Sequence, residues 1–270
     1  MRYKTDIMPE PRNYQTEAIV IKKTKLGEAD TILTFLTPQM GKIQGFARSL
    51  RKTKSKLAGH LELLTYSQVS FARGRNLDTI TGSQTVNSFM AIKSDLWLSS
   101  CGLYVAELVN QFASEHQENY SLFALVLEIL DLFCQDNDKE LVLRYFELRL
   151  LHNAGYRPQL KQCVACHRAL EAVENFFSPS SGGLLCPECS YTGPFARPVS
   201  VNAQKVLRLL QNSPDFAGVC RVKIDPGLAH EIEDILSSYI RHLLEKEVRS
   251  AAWLDTMREQ RLQYRETPLP

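Results

Sequence analysis

The 270 residues contain no uncharged apolar run approaching the ~18 residues of a membrane span. The greasiest stretch, Leu122 to Phe133, is interrupted by Glu128 and Asp131. The opening residues MRYKTDIMPEPRNY lack the apolar centre of a secretory signal. The expectation is therefore a chain of the reducing cytosol, where seven cysteines do not form a disulfide framework. Enzyme signatures are missing as well. Gly41-Lys42 is followed by Ile43 and has no upstream glycine, so no phosphate-cradling GxxxxGK[ST] loop exists. Neither GxSxG nor HExxH occurs, and His230-Glu231 has no second histidine at metal-binding spacing. Neighbouring carboxylates such as Glu231, Glu233 and Asp234 follow helix-face patterns that suit solvated surface. No catalytic activity is expected.

Acidic residues are scarce in the first third of the chain. Residues 1–86 carry 14 Lys and Arg against 7 Asp and Glu, and the remainder carries 18 against 23. A basic N-terminal part joined to an acidic body points to a polyanion as the partner of the first part. That part also reads as strands: Glu17–Lys22, Thr31–Thr37, Lys42–Arg48, Leu61–Phe71 and a weaker Leu77–Thr85. Gly27, Pro38, Gly41 and Gly74 punctuate them. Five short strands in about 70 residues suit a five-stranded oligonucleotide/oligosaccharide-binding (OB) barrel.

From Ser94 onward the apolar period becomes helical. Trp97, Cys101, Tyr104, Val105, Leu108 and Phe112 recur at helix spacing, and 121–134 and 139–153 read the same way. Ala154-Gly155 and Pro158 stop the third of these helices. Asn202 is the expected cap of a helix to about Gln211, and Asp225-Pro226 opens another with its stripe at Leu228, Ile232, Leu236, Tyr239 and Leu243. The fold class expected is α+β and multi-domain: an OB barrel over 1–88, a helical domain over 89–160 and 196–250, a zinc module over 161–195 inserted in it, and a disordered tail over 251–270.

Four of the cysteines form two pairs. Cys163-Val-Ala-Cys166 and Cys186-Pro-Glu-Cys189 are separated by 19 residues, a spacing used by four-thiolate zinc sites. Each CxxC turn aims two thiolates at one point, and two such turns complete the tetrahedron Zn²⁺ prefers. Ser180-Ser-Gly-Gly183 supplies a hairpin turn between them. Cys163-x-x-Cys166-His167 also matches the c-type haem attachment motif, but that leaves the second pair unexplained. A thioredoxin-like pair would need a βαβ setting, and the deaminase signature fails because Leu185 stands where it requires proline. With all four ligands thiolates, one Zn²⁺ per chain would be structural.

The candidate nucleic-acid residues cluster around the presumptive OB groove. Lys22, Lys23 and Lys25 are expected in the loop between the first two strands, and Arg73 and Arg75 between the last two. The segment 48–56 holds Arg48, Arg51, Lys52, Lys54 and Lys56 with no acid. Such a basic loop can track phosphates. On the third strand Lys42, Gln44, Phe46 and Arg48 share one face, opposite Ile43, Gly45 and Ala47. Phe46 is either a base-stacking residue among cations or a core residue, whereas Phe35 and Phe71 read as core.

With these residues in view, the chain resembles the RecO family of bacterial recombination mediators over about residues 14–250. The resemblance is carried by Glu17-Ala-Ile-Val-Ile-Lys22, Leu26-Gly-Glu-Ala-Asp30 and Leu36-Thr-Pro-Gln-Met-Gly-Lys42. It continues through the basic 48–56 stretch with Gly59-His-Leu61, then Tyr104-Val-Ala-Glu-Leu108, Arg144-Tyr-Phe-Glu-Leu148 and Gly155-Tyr156. It implies the barrel, the helical body and the inserted zinc module; many members lack some of the cysteines, and this chain keeps all four. It also implies a cytoplasmic, nucleoid-associated protein that binds single- and double-stranded DNA and anneals complementary strands. Its implied partners are the acidic, Phe-ending tail of single-stranded DNA-binding protein (SSB), RecR and, indirectly, RecA, with no nucleotide cofactor. In the acidic stretch 94–153, with three cations against ten acids, Arg144 is the expected contact for that tail. The alternative is a zinc-ribbon scaffold acting mainly through protein partners.

Overall fold

Alternation of apolar residues builds the first unit. The computed structural model of the protein describes residues 12–266. Residues 1–11 of the expected barrel and 267–270 of the expected tail lie outside them. The strands are β1 (Asn13–Leu26), β2 (Asp30–Thr37), β3 (Gly41–Ala47), β4 (Tyr66–Ala72) and β5 (Asp78–Asn87). They close in the order β1-β2-β3-β5-β4, with β4 returning to β1. Ala18, Val20, Leu33, Phe35, Ile43, Ala47, Val69, Phe71 and Ile80 fill the interior, joined by Leu50 and Leu61. Phe71 lies at its centre, stacked on Tyr14 at 5.0 Å and edge-on to Phe35 at 5.6 Å. Both aromatics expected in the core are there.

Two expected strands change on folding. β1 runs on to Leu26, so Lys22, Lys23 and Lys25 lie on the strand itself and not in a loop. A bulge at Ile21 shifts its register between Val20 and Lys22, and everything from Lys22 to Leu26 is exposed. Conversely, the fourth strand starts at Tyr66 and not Leu61. Adjacent Leu63 and Leu64 break the two-residue period, Leu64 takes a left-handed backbone (φ 62°), and its N–H donates to the Val20 carbonyl. Leu61 is still buried in the barrel, approached through a short 3-10 turn at Ala58–His60. The first unit, which ends at Ser88, also takes in Ser114–Tyr120 from later in the chain.

The second unit holds Phe89–Ala113 and continues from Ser121. Its helices are α1 (Met90–Ser94), α2 (Leu96–Phe112), α3 (Tyr120–Cys134), α4 (Lys139–Asn153), α5 (Val201–Asn212), α6 (Pro226–Leu244) and α7 (Arg249–Glu266). Short polar side chains start most of them. Asp95, Asp138 and Asp225 accept the first free N–H groups of α2, α4 and α6. Ser200, not Asn202, caps α5: its Oγ accepts from the Ala203 N–H at 3.1 Å, while its own N–H and hydroxyl donate to Glu231. Between α4 and α5 lies a small sheet in the order β7-β6-β8, made of β6 (Asn175–Ser178), β7 (Gly183–Leu185) and β8 (Arg197–Val199).

α4 is buried nearly all round, and that burial settles the place of Arg144. The residue is 3% exposed, with Nη2 3.0 Å from Glu147 and Nη1 3.6 Å from Glu233 of α6. Glu147 is 0% exposed and accepts from the Tyr104 hydroxyl of α2 at 2.7 Å. Burial opposes the charge of Arg144, but Glu147 and Glu233 hold its pKa above the ordinary value. The expected surface cation for an acidic tail is thus an interior one, already committed to its own acids. The expected disordered tail is likewise a helix through Glu266. Glu107 of α2 accepts the Arg249 and Ser250 N–H groups at the start of α7, and Arg258 pairs with Glu140 at 2.7 Å and also with Glu233. Among the described side chains of α7, Leu254 and Met257 are the buried apolar ones. Its polar sequence therefore reads as a tail although charge holds it in place.

Breaking this network should be costly. Arg144→Ala leaves Glu147 buried without its cation, a change worth about 3–5 kcal/mol of stability. A thermal or denaturant melt of the variant checks it; a melting curve matching the wild type would mean that the pair is dispensable.

Candidate nucleic-acid interface and metal centre

Strand pairing puts the outward side chains of β1, β2, β3 and β5 into rows. Thr24 pairs with Ile32, Ile32 with Phe46, and Phe46 with Thr79. The next row runs Lys22, Thr34, Gln44. Residues opposite one another in register share a face, so Phe46 lies on the outer surface between Ile32 and Thr79. It is half-buried there and takes no part in the barrel interior. Of the two readings of Phe46, the core one is not what the structure shows. Gln44 and Arg48, two residues to either side, are exposed on the same face. An aromatic with aliphatic flanks and cations nearby can offer a π-surface to a base and positive charge to the backbone beside it.

Cations surround this platform unequally. Arg48, Lys52, Lys54 and Lys56 are exposed. The segment that carries them is pinned where it leaves the barrel: Leu50 is buried, the Arg51 N–H donates to the Ala29 carbonyl at 3.0 Å, and the Arg51 guanidinium donates to the Gly27 carbonyl. Lys22 shares the outer face with Gln44, whereas Lys23 and Lys25 point to the other side of β1. Lys23 is paired with Glu62 at 3.3 Å. In the β4–β5 connection Arg75 is exposed and Arg73 lies over the Tyr14 ring at 5.1 Å.

Lys42 is set apart from the others. The segment 114–119 lies along β3 at that end: the Lys42 N–H donates to the Ser114 carbonyl, the His116 N–H to the Lys42 carbonyl, and Lys42 Nζ is 3.9 Å from Glu115. A Cβ on Gly41 would come within 2.1 Å of the Gln117 carbonyl, so only glycine lets the segment this close. No local sequence signal announces this contact, because its two sides lie about 70 residues apart. Ile32 and Thr79 also escaped the sequence reading, since their place beside Phe46 comes from register across three strands.

The four cysteines meet at one point. Their sulfur atoms all lie within 4.8 Å of one another, and Cys166 Sγ is 3.9 Å from Cys186 Sγ. Among the described residues this is the one group of three or more His, Cys, Asp or Glu side chains so arranged. The first turn closes with the His167 N–H on the Cys163 carbonyl at 2.9 Å and a left-handed His167 (φ 59°). The second begins the 3-10 turn Pro187–Thr192, with the Cys189 N–H on the Cys186 carbonyl at 3.0 Å. β6 and β7 join the two halves through Gly182 in a left-handed turn, as the Ser-Ser-Gly-Gly stretch implied.

The sulfurs are electrostatically prepared. The Arg168 guanidinium donates to Cys166 at 3.5 Å and holds its thiol down at about 6. Burial raises the Cys163 thiol, but backbone N–H groups of Cys166, Cys186 and Ala165 outweigh it and bring its pKa below the ordinary value. Hydrogen bonding to Cys186 pushes Cys189 up to about 12. Four sulfurs this close cannot all ionise without a cation among them. A tetrahedral Zn²⁺ with ~2.3 Å bonds would set sulfurs ~3.8 Å apart, so the donor set and its spacing fit that ion.

Comparison with known proteins agrees with this architecture. The family description "Recombination protein O N terminal" matches residues 10–89, and "Recombination protein O C terminal" matches residues 93–252. A protein of Dehalococcoides mccartyi (strain CBDB1) named DNA repair protein RecO is 49% identical over 251 residues, covering 93% of this chain and 98% of that one. Proteins of the same name from Roseiflexus sp. (strain RS-1) and Symbiobacterium thermophilum are 41% and 34% identical, each over 92% of this chain and over 87% and 99% of their own.

Proposed function

Because the chain belongs to the RecO family of DNA repair proteins, we propose that its barrel binds DNA through the Phe46 face and that it works by annealing complementary strands. The family is one of recombination mediators that catalyse no reaction. The observation that carries the proposal is the placing of Phe46 on the outer β2–β3 surface, between Ile32 and Thr79 and bordered by exposed cations. This surface and the loops beside it are the ones an OB barrel uses for oligonucleotides. The polyanion reading of residues 1–86 agrees with it, and the alternative of a scaffold working only through proteins gives that charge no role.

Annealing follows from the same physics. Two strands repel through their phosphates, and cations that neutralise both backbones lower that barrier while leaving base edges free. No group on the barrel need react. Delivery of RecA to SSB-coated single strands together with RecR, with contact to the acidic SSB tail, extends the proposal to partners and rests on the family. Arg144, the cation expected to meet that tail, is buried and paired with Glu147 and Glu233, so an acidic peptide would have to compete with those two acids for it. No helix among the described residues is long and apolar enough to cross a membrane, in keeping with work on DNA in the cytoplasm. Cys163, Cys166, Cys186 and Cys189 would hold one Zn²⁺, which supplies four bonds that tie two turns together. All four positions are then thiolates, so no coordination site is open to substrate, and the ion's part is to hold the β6–β7 hairpin against its flanking turns.

Replacing Lys52, Lys54 and Lys56 with alanine should weaken binding to single-stranded DNA and slow annealing of SSB-coated complementary strands. With about 0.7 unit of log–log salt slope per phosphate contact, the slope should flatten by roughly 2 units. A triple variant that binds and anneals like the wild type across the salt series would refute the proposal. Phe46→Ala should differ in kind: about 1–3 kcal/mol of binding lost with the slope kept, as for a stacking aromatic. Its melting temperature should stay near that of the wild type, since Phe46 is outside the barrel interior.

Freshly purified protein should contain one zinc per chain by metal analysis. Cys186→Ser should release it and raise amide hydrogen exchange across residues 160–195, while the amides of β1 to β5 stay protected. Retention of stoichiometric zinc by that variant would show that the four sulfurs do not act together.

A further inference from the structure

The cationic segment 48–56 is organised by an acid. Asp30, the first residue of β2, accepts the Ser49 N–H on Oδ1 at 2.6 Å. Ser49 has a left-handed backbone (φ 54°), which a residue with a side chain adopts at a cost unless something holds it there. Leu50 is next, buried in the barrel, and Arg51 follows with its N–H on Ala29 and its guanidinium on Gly27. Three consecutive residues are thus fixed by three different means: a carboxylate, the apolar core, and the carbonyls of the β1–β2 turn. From Ser49 the order propagates outward. The Lys52 N–H donates to the Ser49 carbonyl at 3.1 Å and the Ser55 N–H to the Lys52 carbonyl at 2.9 Å.

We propose that Asp30 is a positioning residue for DNA binding, holding the segment that starts at Ser49 in the pose from which Lys52, Lys54 and Lys56 reach phosphates. Arg51 is the second part of the same clasp, spending part of its guanidinium on the Gly27 carbonyl. The inference rests on the proposed role of that segment in binding DNA. Its distinguishing feature is its sign. An acid on a polyanion-binding surface repels phosphates, and removing it should tighten binding if charge is all it contributes. An acid that sets the pose of several cations should weaken binding when removed, because more cations are displaced than the one repulsion relieved.

The test is equilibrium binding of the full-length chain to an oligo(dT) strand across a salt series, at a temperature where each variant is folded by its melting curve. Asp30→Ala should bind more weakly than the wild type, with the salt slope flattened by 1–2 units, roughly that of two or three lost phosphate contacts. Asp30→Asn keeps an acceptor oxygen for the Ser49 N–H and loses only the charge, so it should bind as tightly as the wild type or more tightly. Tighter binding by both variants, or an unchanged slope in Asp30→Ala, would overturn the inference and leave Asp30 as a simple countercharge. Should Asp30→Ala fail to fold, Arg51→Gln serves in its place. It removes one cation, worth about 0.7 unit of slope; flattening beyond that supports the clasp, and flattening of 0.7 or less overturns it. The Lys52, Lys54 and Lys56 triple variant separates the two levels. If it too behaves like the wild type, the DNA-binding role of the segment is wrong. If it alone flattens the slope, only the clasp is wrong.

Discussion

The barrel closes through two residue pairs between parallel strands, Gly45 with Asp78 and Phe46 with Thr79, and the rest of the first unit depends on them. Strand alternation forces those neighbours to opposite faces. Inward, a side chain on Gly45 would come within 2.7 Å of Phe71 and 2.9 Å of Ile80, so the absence of one lets β3 and β5 meet over a filled core. Outward, the same step puts Phe46 onto the surface in line with Ile32 and Thr79. The outward placing of Phe46 is therefore a geometric by-product of how the sheet closes. No loop has to move to create it.

The helical unit is held by a different constraint. α4 carries charge into an apolar interior, where an unpaired ion is very unfavourable, so each ion must find a counterpart. Arg144 and Glu147 pair on α4 itself, Tyr104 reaches them from α2, Glu233 from α6, and Arg258 ties Glu233 and Glu140 to α7. Such a network specifies which helices meet because one misplaced partner strands a charge. That is a physical reason for Arg-Tyr-Phe-Glu-Leu to sit in the middle of a buried helix: Tyr145, Phe146 and Leu148 supply burial, and the arginine and glutamate supply register.

Much of this was legible in the sequence where the signal was local. Alternation found the strands, helical periodicity found α2 to α4 and α6, and the CxxC spacing found sulfurs that converge in space. Family resemblance then linked the parts. Legibility failed where meaning depends on distant partners. Arg144 and Arg51 both read as cations offered to a partner, yet one is buried among acids and the other clasps a turn carbonyl at the surface. α7 reads as a solvated tail because its sequence is polar and, among its described side chains, only Leu254 and Met257 are buried apolar ones, while its anchors include Glu107 and Glu140, more than 100 residues upstream. The contact of residues 114–119 with β3 is invisible for the same reason. A bulge at Ile21 likewise moved three lysines from a loop to the two faces of a strand, and one extra residue in a strand leaves no mark in composition.

These placements bear on how a protein without reacting groups acts on DNA. Binding by phosphate neutralisation and base stacking is reversible and tolerant of sequence, since every nucleotide offers a charge and a π-face. It then matters which cations are available and which are already paired. Lys23 faces Glu62 and Lys42 faces Glu115, so acids at these two sites would compete with phosphate, whereas Arg48, Lys52, Lys54 and Lys56 stand exposed. Lys22 and Lys25 are exposed as well, on opposite sides of β1, so pairing thins the cations of the barrel without gathering the rest on one face. Under the proposed binding, a strand held through its backbone and base faces would keep its pairing edges available to a complementary strand.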